Sequence, residues 1–238
     1  GDFVVFAEQD VVFAPTYIET FATHARRGQF LVGYPVRLTE SDTARITDAM
    51  IRSGRITDLI PEAGRRKVLD QFRKERRYVV LHALHLRPFG PKLRSGVFGA
   101  WRDDLLTVNG FDEEFRGWGN EDDNLGRRLH RAGITGRNVF REALAIHMYH
   151  APHHQEGRRA NSEYSAQRIR EIRRGAVRAD HGVTNPLGDV WPARRVLPAQ
   201  GRPQQSTLTA LDIALDHDFG AQRRVARFDL VGVDVHLA

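Results

Sequence analysis

The sequence predicts an α/β fold built around a parallel sheet. Residues 3–7 (FVVFA) form a continuous apolar run, which is typical of a strand buried on both faces. Residues 15–28 follow with a helical pattern, and residues 29–38 have the composition of a second strand. A strand, a helix and a strand at this spacing indicate parallel strands joined by a crossover helix.

The next elements continue this pattern. Pro15 lacks an N–H, so it suits the first turn of the predicted helix, and Gly28 is expected to end that helix. Residues 41–53 and 62–77 are predicted to be helical. Residues 78–95 contain Pro and Gly and are predicted to form a loop over one face of the domain.

In the second half, residues 96–101 form a short apolar strand. Asn120 is expected to cap a helix that Gly133 ends. The buried stripe of that helix is predicted to consist of Leu125, Leu129 and Ala132. Residues 143–150 are predicted to be a strand whose polar end carries histidines.

Beyond residue 157 the pattern is weaker. Residues 163–174 are predicted to form an Arg-rich amphipathic helix, and residues 225–237 alternate like a strand that has no assigned place in the sheet. Residues 179–207 contain Pro, Gly and Gln and resemble a linker. The predicted organisation is a domain over 1–156, an Arg-rich helix over 157–178, and a linker with a small C-terminal segment over 179–238.

Composition limits the class of protein. The chain has 238 residues, 41% of them hydrophobic, which is enough for a packed core. It has no cysteine, which excludes disulfides and thiolate metal sites and fits a reducing compartment, so a cytoplasmic location is expected. Because Gly1 leads directly into an apolar strand, we expect the sequence to begin within a domain.

Positive charge is concentrated in one region. The formal net charge is +6, and residues 157–205 contain ten Arg against four acidic residues, a surplus that equals the whole net charge. One hypothesis is therefore an Arg-driven binder of nucleic acid or another anionic polymer. Nucleic acid is the less favoured partner, and the Arg-rich tail is also a candidate for peripheral contact with the inner face of a membrane.

Two acidic side chains follow the first strand. Glu8 and Asp10 lie at its carboxyl end, where ligands gather in open α/β sheets. Carboxylates there can hold a divalent cation that neutralises a diphosphate. The alternative is an ordinary solvated strand end.

Residues 109–125 (NGFDEEFRGWGNEDDNL) combine glycines, aromatic rings and acids. The glycines beside Trp118 allow a sharp turn that exposes the ring. Glu121, Asp122 and Asp123 face the positive end of the helix dipole, which lowers carboxylate pKa values and keeps them ionised. We therefore predict Asp122 as a general base. The alternative is a structural role, because acids are common at helix starts.

Two histidines lie near the end of the predicted domain. His147 and His150 lie at the end of the last predicted strand and can complete a metal shell begun by Asp10. The alternative is that they are structural or solvated. His153 and His154 follow in a predicted loop and are interpreted as bystanders.

A family resemblance joins these motifs. Residues 108–129 (VNGFDEEFRGWGNEDDNLGRRL) closely resemble the galactosyltransferase C-terminal signature of GT-A-fold, family 2-like glycosyltransferases. Residues 3–15 resemble the strand and acid-x-acid motif of the same families, and residues 147–150 occupy the place of their late metal-binding histidine. The resemblance covers residues 1–155. It implies the C-terminal part of a Rossmann-like GT-A domain, followed by an Arg-rich, partly irregular tail.

The resemblance also implies a reaction. A sugar would pass from a nucleotide-diphosphate donor to a hydroxyl of a glycan or another acceptor, with inversion and with Mn²⁺ or Mg²⁺. The implied metal ligands are Asp10 and His150, with His147 as the second candidate. The implied substrate-binding residues are Glu8, Trp118, Gly119, Glu121 and Asp123, and Asp122 would deprotonate the acceptor.

The sequence departs from the family pattern in two ways. Glu8 stands where Asp is usual, and the strands that hold the nucleotide base in these families would precede Gly1. The resemblance thus implies an N-terminally truncated enzyme. A non-catalytic remnant that binds a glycan or nucleotide is the second hypothesis.

Overall fold

The computed structural model describes residues 1–94, 96–116, 119–151 and 161–187, and the backbone of 228–232. It shows a mixed α/β fold with two sheets. The strands are β1 (Phe3–Ala7), β2 (Val11–Phe13), β3 (Gln29–Val32), β4 (Tyr34–Arg37), β5 (Val97–Trp101), β6 (Thr135–Asn138), β7 (Leu144–His147) and β8 (Phe228–Gly232). The helices are α1 (Tyr17–His24), α2 (Glu40–Thr43), α3 (Asp48–Arg52), α4 (Glu62–Ala83), α5 (Arg102–Thr107), α6 (Glu121–Arg131) and α7 (Ser162–Arg174), with a 3₁₀ helix at Arg55–Leu59.

The larger sheet has the strand order β6-β3-β5-β1-β8. Strands β1 and β3 both pair antiparallel with β5, so they run in the same direction without being neighbours. Strands β6 and β8 pair parallel with β3 and β1. The predicted α/β class is confirmed. The prediction of a parallel sheet is wrong, because the apolar strand β5 lies between β1 and β3 and runs antiparallel to both.

Residues 29–38, predicted as one strand, form two strands in different sheets. β3 belongs to the larger sheet, and β4 belongs to a smaller sheet with the order β2-β7-β4. Gly33 lies at the break, where its N–H donates to the carbonyl of Val97 at 2.6 Å. A Cβ at this position would lie 3.0 Å from that oxygen, so glycine allows the close approach.

Both faces of the larger sheet are covered. Phe3 and Val5 of β1 point into a cluster that also contains Phe21 of α1. The alternate residues Val4 and Phe6 pack against a second cluster, to which α6 contributes Leu125 and Leu129. This alternation confirms the prediction that the first strand is buried on both faces. Ala132, the third predicted member of the α6 stripe, is half-buried against the same cluster.

Several helix boundaries differ from the predictions. Helix α1 begins after Pro15 and ends at His24, and Gly28 lies in the following turn with a φ of +72°. The predicted helix over 41–53 is two short helices because the hydroxyls of Thr39 and Thr47 each accept a first-turn N–H.

The longest helix also differs. Residues 78–83 are the last turns of α4, so only the later part of the predicted loop over 78–95 is irregular. The break comes at His85, which has a φ of +56°. Strand β6 was not predicted, since its sequence, TGRN, is short and polar.

The C-terminal elements extend the domain. Helix α7 confirms the helix predicted over 163–174, and it contacts α6. Strand β8 lies within the segment predicted as a strand, and it pairs with β1 to form one edge of the larger sheet. Among the described residues, no helix is both long enough and apolar enough to cross a bilayer.

Candidate active site

Strand pairing brings one acidic side chain and two histidines together. Asp10 lies in the turn between β1 and β2, and its carbonyl accepts a hydrogen bond from the N–H of Met148 at 2.9 Å. His147 is the register partner of Val11 in the small sheet. The carboxyl end of β1 is thus fixed next to the carboxyl end of β7, which places His150 at the same point.

The distances in this group are short. The Nε2 atoms of His147 and His150 lie 3.4 and 3.3 Å from Oδ2 of Asp10. One ligand atom from each residue lies within 4.8 Å of the other two. The structure therefore brings together all three predicted metal ligands.

Hydrogen bonds to backbone carbonyls fix the orientation of both rings. Nδ1 of His147 donates to the carbonyl of Met148 at 2.7 Å, and Nδ1 of His150 donates to that of Ala151 at 3.1 Å. Because a carbonyl can only accept, each Nδ1 carries the hydrogen and each neutral ring keeps its lone pair on Nε2. Metal-bound histidines are oriented in this way, with the second nitrogen bonded to a backbone carbonyl.

The donor set fits a divalent cation. Imidazole nitrogens suit Mn²⁺ and later transition metals, whereas Mg²⁺ prefers oxygen ligands and retained water. With His147 and His150 beside Asp10, the residues present suit Mn²⁺ better than Mg²⁺.

A second acidic group surrounds the start of α6. Burial raises the pKa of Glu121, and the neighbouring charges of Asp122 and Glu8 raise it further. Its Oε2 is buried and has no hydrogen-bond partner among the described residues. The predicted lowering of carboxylate pKa by the helix dipole is therefore wrong for Glu121, because desolvation outweighs the dipole. The charge of Glu8 acts on the pKa of Glu121, so the two acidic motifs share one electrostatic environment.

Gly96 makes room for Glu8. Its φ is +69°, and a Cβ there would lie 2.5 Å from Cγ of Glu8. Sequence reasoning missed this residue, although a glycine directly before an apolar strand is a recognisable signal for close approach.

The other two acids of α6 have different partners. Oδ1 of Asp122 accepts the N–H of Asp123 at 2.6 Å. The carboxylate of Asp123 forms an ion pair with Arg127 at 3.0 Å, one turn along the helix. Asn120 occupies the N-cap position of α6 as predicted, with a φ of +76°. Its carbonyl accepts the N–H of Asn124 at 2.9 Å, whereas its side chain makes no capping hydrogen bond.

Asn161 bonds to the described residues on both sides of the predicted sugar-binding ring. Gly117 and Trp118 lie outside the described residues, so the role of Trp118 stays a prediction. On either side, Oδ1 of Asn161 accepts the N–H of Arg116 at 2.9 Å, and Nδ2 donates to the carbonyl of Gly119 at 3.0 Å. The side chain of Asn161 therefore joins Arg116 to Gly119, and nothing in its sequence context indicates this.

A buried arginine supports α6 from below. Arg128 is fully buried, donates to Oδ1 of Asn124 at 2.7 Å, and donates to the carbonyls of Val108 and Gly110 at 2.5 and 2.8 Å. Burial lowers its pKa to about 10, so the guanidinium stays charged at neutral pH. It joins the segment 108–112 to the helix that carries the acids.

Helix α7 is attached to the same segment. The Tyr164 hydroxyl donates to the buried carboxylate of Asp112 at 3.1 Å, and Nε of Arg168 lies 3.2 Å from it. Arg178 donates to the carbonyls of residues 106 and 107. These two arginines of the predicted basic tail are therefore used inside the fold.

The comparisons with known proteins agree with this geometry. Residues 75–155 match the family model described as the N-terminal domain of galactosyltransferase. This part of the chain is similar to a galactosyltransferase domain, and the match covers about a third of the chain. The matched segment contains Asp122, His147 and His150, whereas Glu8 and Asp10 precede it.

Curated glycosyltransferases are similar over shorter segments. The chain is 48% identical over 52 residues to validoxylamine A glucosyltransferase of Streptomyces hygroscopicus subsp. jinggangensis, covering 22% of this chain and 12% of that protein. It is 41% identical over 64 residues to human beta-1,4-galactosyltransferase 6, covering 26% and 16%. It is 33% identical over 78 residues to mouse beta-1,4-galactosyltransferase 2, covering 33% and 20%. The similarity thus spans a fifth or less of the length of each of these relatives.

Proposed function

We propose that this chain transfers a sugar from a nucleotide-diphosphate donor to a hydroxyl of a glycan or another acceptor, with inversion and with the help of Mn²⁺. The observation that carries the proposal is the group formed by Asp10, His147 and His150, whose Nε2 lone pairs face one carboxylate. The family of residues 75–155 supports the reaction class.

The residues Asp10, His147 and His150, here called the strand-end group, would bind the donor. Asp10, His147 and His150 would hold the cation, which when bound neutralises the diphosphate leaving group. Glu8 lies near Glu121 and would assist through the cation or the donor ribose. Its longer side chain reaches into the space that Gly96 leaves open.

The start of α6 would bind and activate the acceptor. Asp122 would accept the proton of the acceptor hydroxyl, so that the oxygen attacks the anomeric carbon opposite the departing diphosphate. A single displacement of this kind inverts the anomeric configuration. Glu121, with its raised pKa, would hold the acceptor. We also assign sugar contacts to Trp118, Gly119 and Asp123.

The test is transfer with a matched pair of variants. Wild type would be assayed for nucleotide-diphosphate release with nucleotide-linked galactose and glucose, the sugars in the relatives' names, over a Mn²⁺ titration. Asp122→Asn should lower kcat about 10²- to 10⁴-fold, because a general base contributes that much. The control is Asp70→Asn, which changes an exposed carboxylate on α4. Equal turnover by wild type and Asp122→Asn would exclude the assigned base.

We also propose a cytoplasmic location with peripheral contact at an anionic membrane face. The absence of cysteine and the exposed arginines of α7, Arg170, Arg173 and Arg174, support this. Co-sedimentation with vesicles containing phosphatidylserine, but not with phosphatidylcholine vesicles, is the expected result. Equal sedimentation with both would contradict it.

A further inference from the structure

A cavity of about 410 Å³ lies between α4, the irregular segment 84–94 and α6. This volume falls within the range of small-molecule sites, about 300–1,000 Å³. Asp123 lines the cavity and immediately follows Glu121 and Asp122. The cavity therefore shares the first turn of α6 with the proposed acceptor site.

The cavity wall carries more positive than negative charge. Its two carboxylates are already paired, Glu75 with Arg94 at 3.3 Å and Asp123 with Arg127 at 3.0 Å. Three further cations also line it, namely Lys74, Arg87 and Lys92. Within the described part of the chain, these three have no carboxylate partner. Like charges around one cavity repel one another, and an anion between them would remove that repulsion.

Aromatic rings hold the arginines in place. The guanidinium carbon of Arg87 lies 3.6 Å from the ring centre of Tyr78, and that of Arg127 lies 4.9 Å from Phe89. Arg87 is also fixed by donating to the carbonyl of Phe89 at 3.0 Å. These two arginines are thus ordered without a ligand, which reduces the entropy lost on binding.

The wall also offers unused hydrogen-bonding atoms. His130 is 7% exposed and donates through Nε2 to the carbonyl of Pro91, which leaves Nδ1 as an acceptor. Nδ1 of His130 and Nε of Arg94 are buried and have no partner among the described residues. Two lining residues thus keep a buried polar atom unpaired, which is uncommon in folded proteins.

We propose that this cavity binds a negatively charged sugar unit, so that the preferred acceptor is an anionic saccharide. The binding of an anionic sugar rests on the cavity alone, whereas its assignment to the acceptor rests on the proposed function. The cations Lys74, Arg87 and Lys92 recognise the charge. The adjoining acids of α6 meet the hydroxyl that receives the transferred sugar.

The lysines allow a direct test, because the only lysines of the chain are Lys67, Lys74 and Lys92. Lys74 and Lys92 line the cavity, whereas Lys67 is exposed on α4 outside it and serves as an internal control. The full chain would be acetylated slowly, and the rate at each lysine measured by mass spectrometry. The probes are methyl β-glucuronoside, glucose 6-phosphate, methyl β-glucoside and inorganic sulfate.

Either charged sugar should slow acetylation of Lys74 and Lys92 about tenfold at ten times its dissociation constant, since roughly a tenth of the sites then stay free. The rate at Lys67 should not change. The stronger of the two charged probes identifies the anion as carboxylate or phosphate. Equal protection by the neutral glucoside or by sulfate alone, or equal protection of Lys67, would overturn the proposal.

A variant gives a second readout. Lys74→Gln should raise the KM for a glucuronoside acceptor while the KM for the neutral glucoside stays the same, and Lys67→Gln should change neither. A similar change in both KM values would overturn the acceptor assignment. Because acetylation needs neither cation nor turnover, protection of Lys74 without any transfer would refute the proposed function and leave the anionic-sugar site standing.

Discussion

The two halves of the candidate site are built in different ways. Asp10, His147 and His150 are brought together by strand pairing, and they lie half-buried or exposed at the edge of the small sheet. The start of α6 instead rests on fully buried polar side chains, among them Arg128 and Asn161. Buried polar groups cost free energy when a partner is lost, whereas exposed ones do not. Substitutions below α6 should therefore affect folding, and substitutions in the strand-end group should affect ligand binding alone.

The largest effect is expected for Arg128→Met. The substitution leaves the carbonyls of Val108 and Gly110 unpaired and buried, so we expect a loss of about 3–5 kcal/mol in the free energy of unfolding. Urea denaturation would measure it. The matched control is Arg131→Met, which changes an exposed arginine on the same helix. Equal stability of the two variants would contradict the supporting role of Arg128.

The stability of the protein should also depend on pH through His130, which lies on α6 like Arg128. Burial lowers the pKa of His130 from 6.5 to about 4. Between these values the unfolded chain binds the proton and the folded chain does not, so stability falls as the pH falls through this window. The loss should be on the order of 3 kcal/mol, since one pKa unit corresponds to about 1.4 kcal/mol. Denaturation of wild type and His130→Gln at pH 7 and pH 4.5 would measure it, and the same pH dependence in both would contradict the assignment.

The sequence predicted one half of the site better than the other. Acids after an apolar strand and histidines at the end of another are visible in the sequence, and the structure places Asp10, His147 and His150 together. Arg128 and Asn161 carry polar side chains that normally indicate a surface, and only tertiary contacts reveal their burial.

The fold shows the same limit. Local patterns gave most strands and helices, since apolar runs and breakers act over a few residues. They did not predict which strands pair. Strand β5 lies between β1 and β3 in the sheet, although it follows them by more than sixty residues in the sequence. Pairing over such separations is decided by packing across the whole sheet.

A smaller effect is expected for Asn161→Ala. It removes the hydrogen bonds to Arg116 and Gly119, so we expect a loss of about 1–2 kcal/mol in stability. Since Trp118 lies in the sequence between Arg116 and Gly119, the KM for the acceptor should rise more than kcat falls. Asn161→Asp keeps the acceptor for the Arg116 N–H and should recover part of the loss. The control is Gln167→Ala on the exposed face of α7, and an unchanged KM in Asn161→Ala would exclude a positioning role.

The smallest effect on stability is expected for Asp10→Asn in the absence of metal. The carboxylate of Asp10 is partly exposed, and among the described side chains only His147 and His150 pair with it. Without metal, the free energies of unfolding of wild type and variant should agree within about 0.5 kcal/mol.

Addition of Mn²⁺ at a hundred times its dissociation constant should stabilise wild type by about 2.7 kcal/mol. A ligand that binds only the folded state shifts the folding equilibrium by that amount. The variant should gain much less, and Asp58→Asn, which changes an exposed acid in the 3₁₀ helix, should respond like wild type. Thermal unfolding with and without Mn²⁺ measures both quantities. A large loss of stability in metal-free Asp10→Asn would show that the strand-end group also supports the fold, and the contrast between the two halves of the site would then fail.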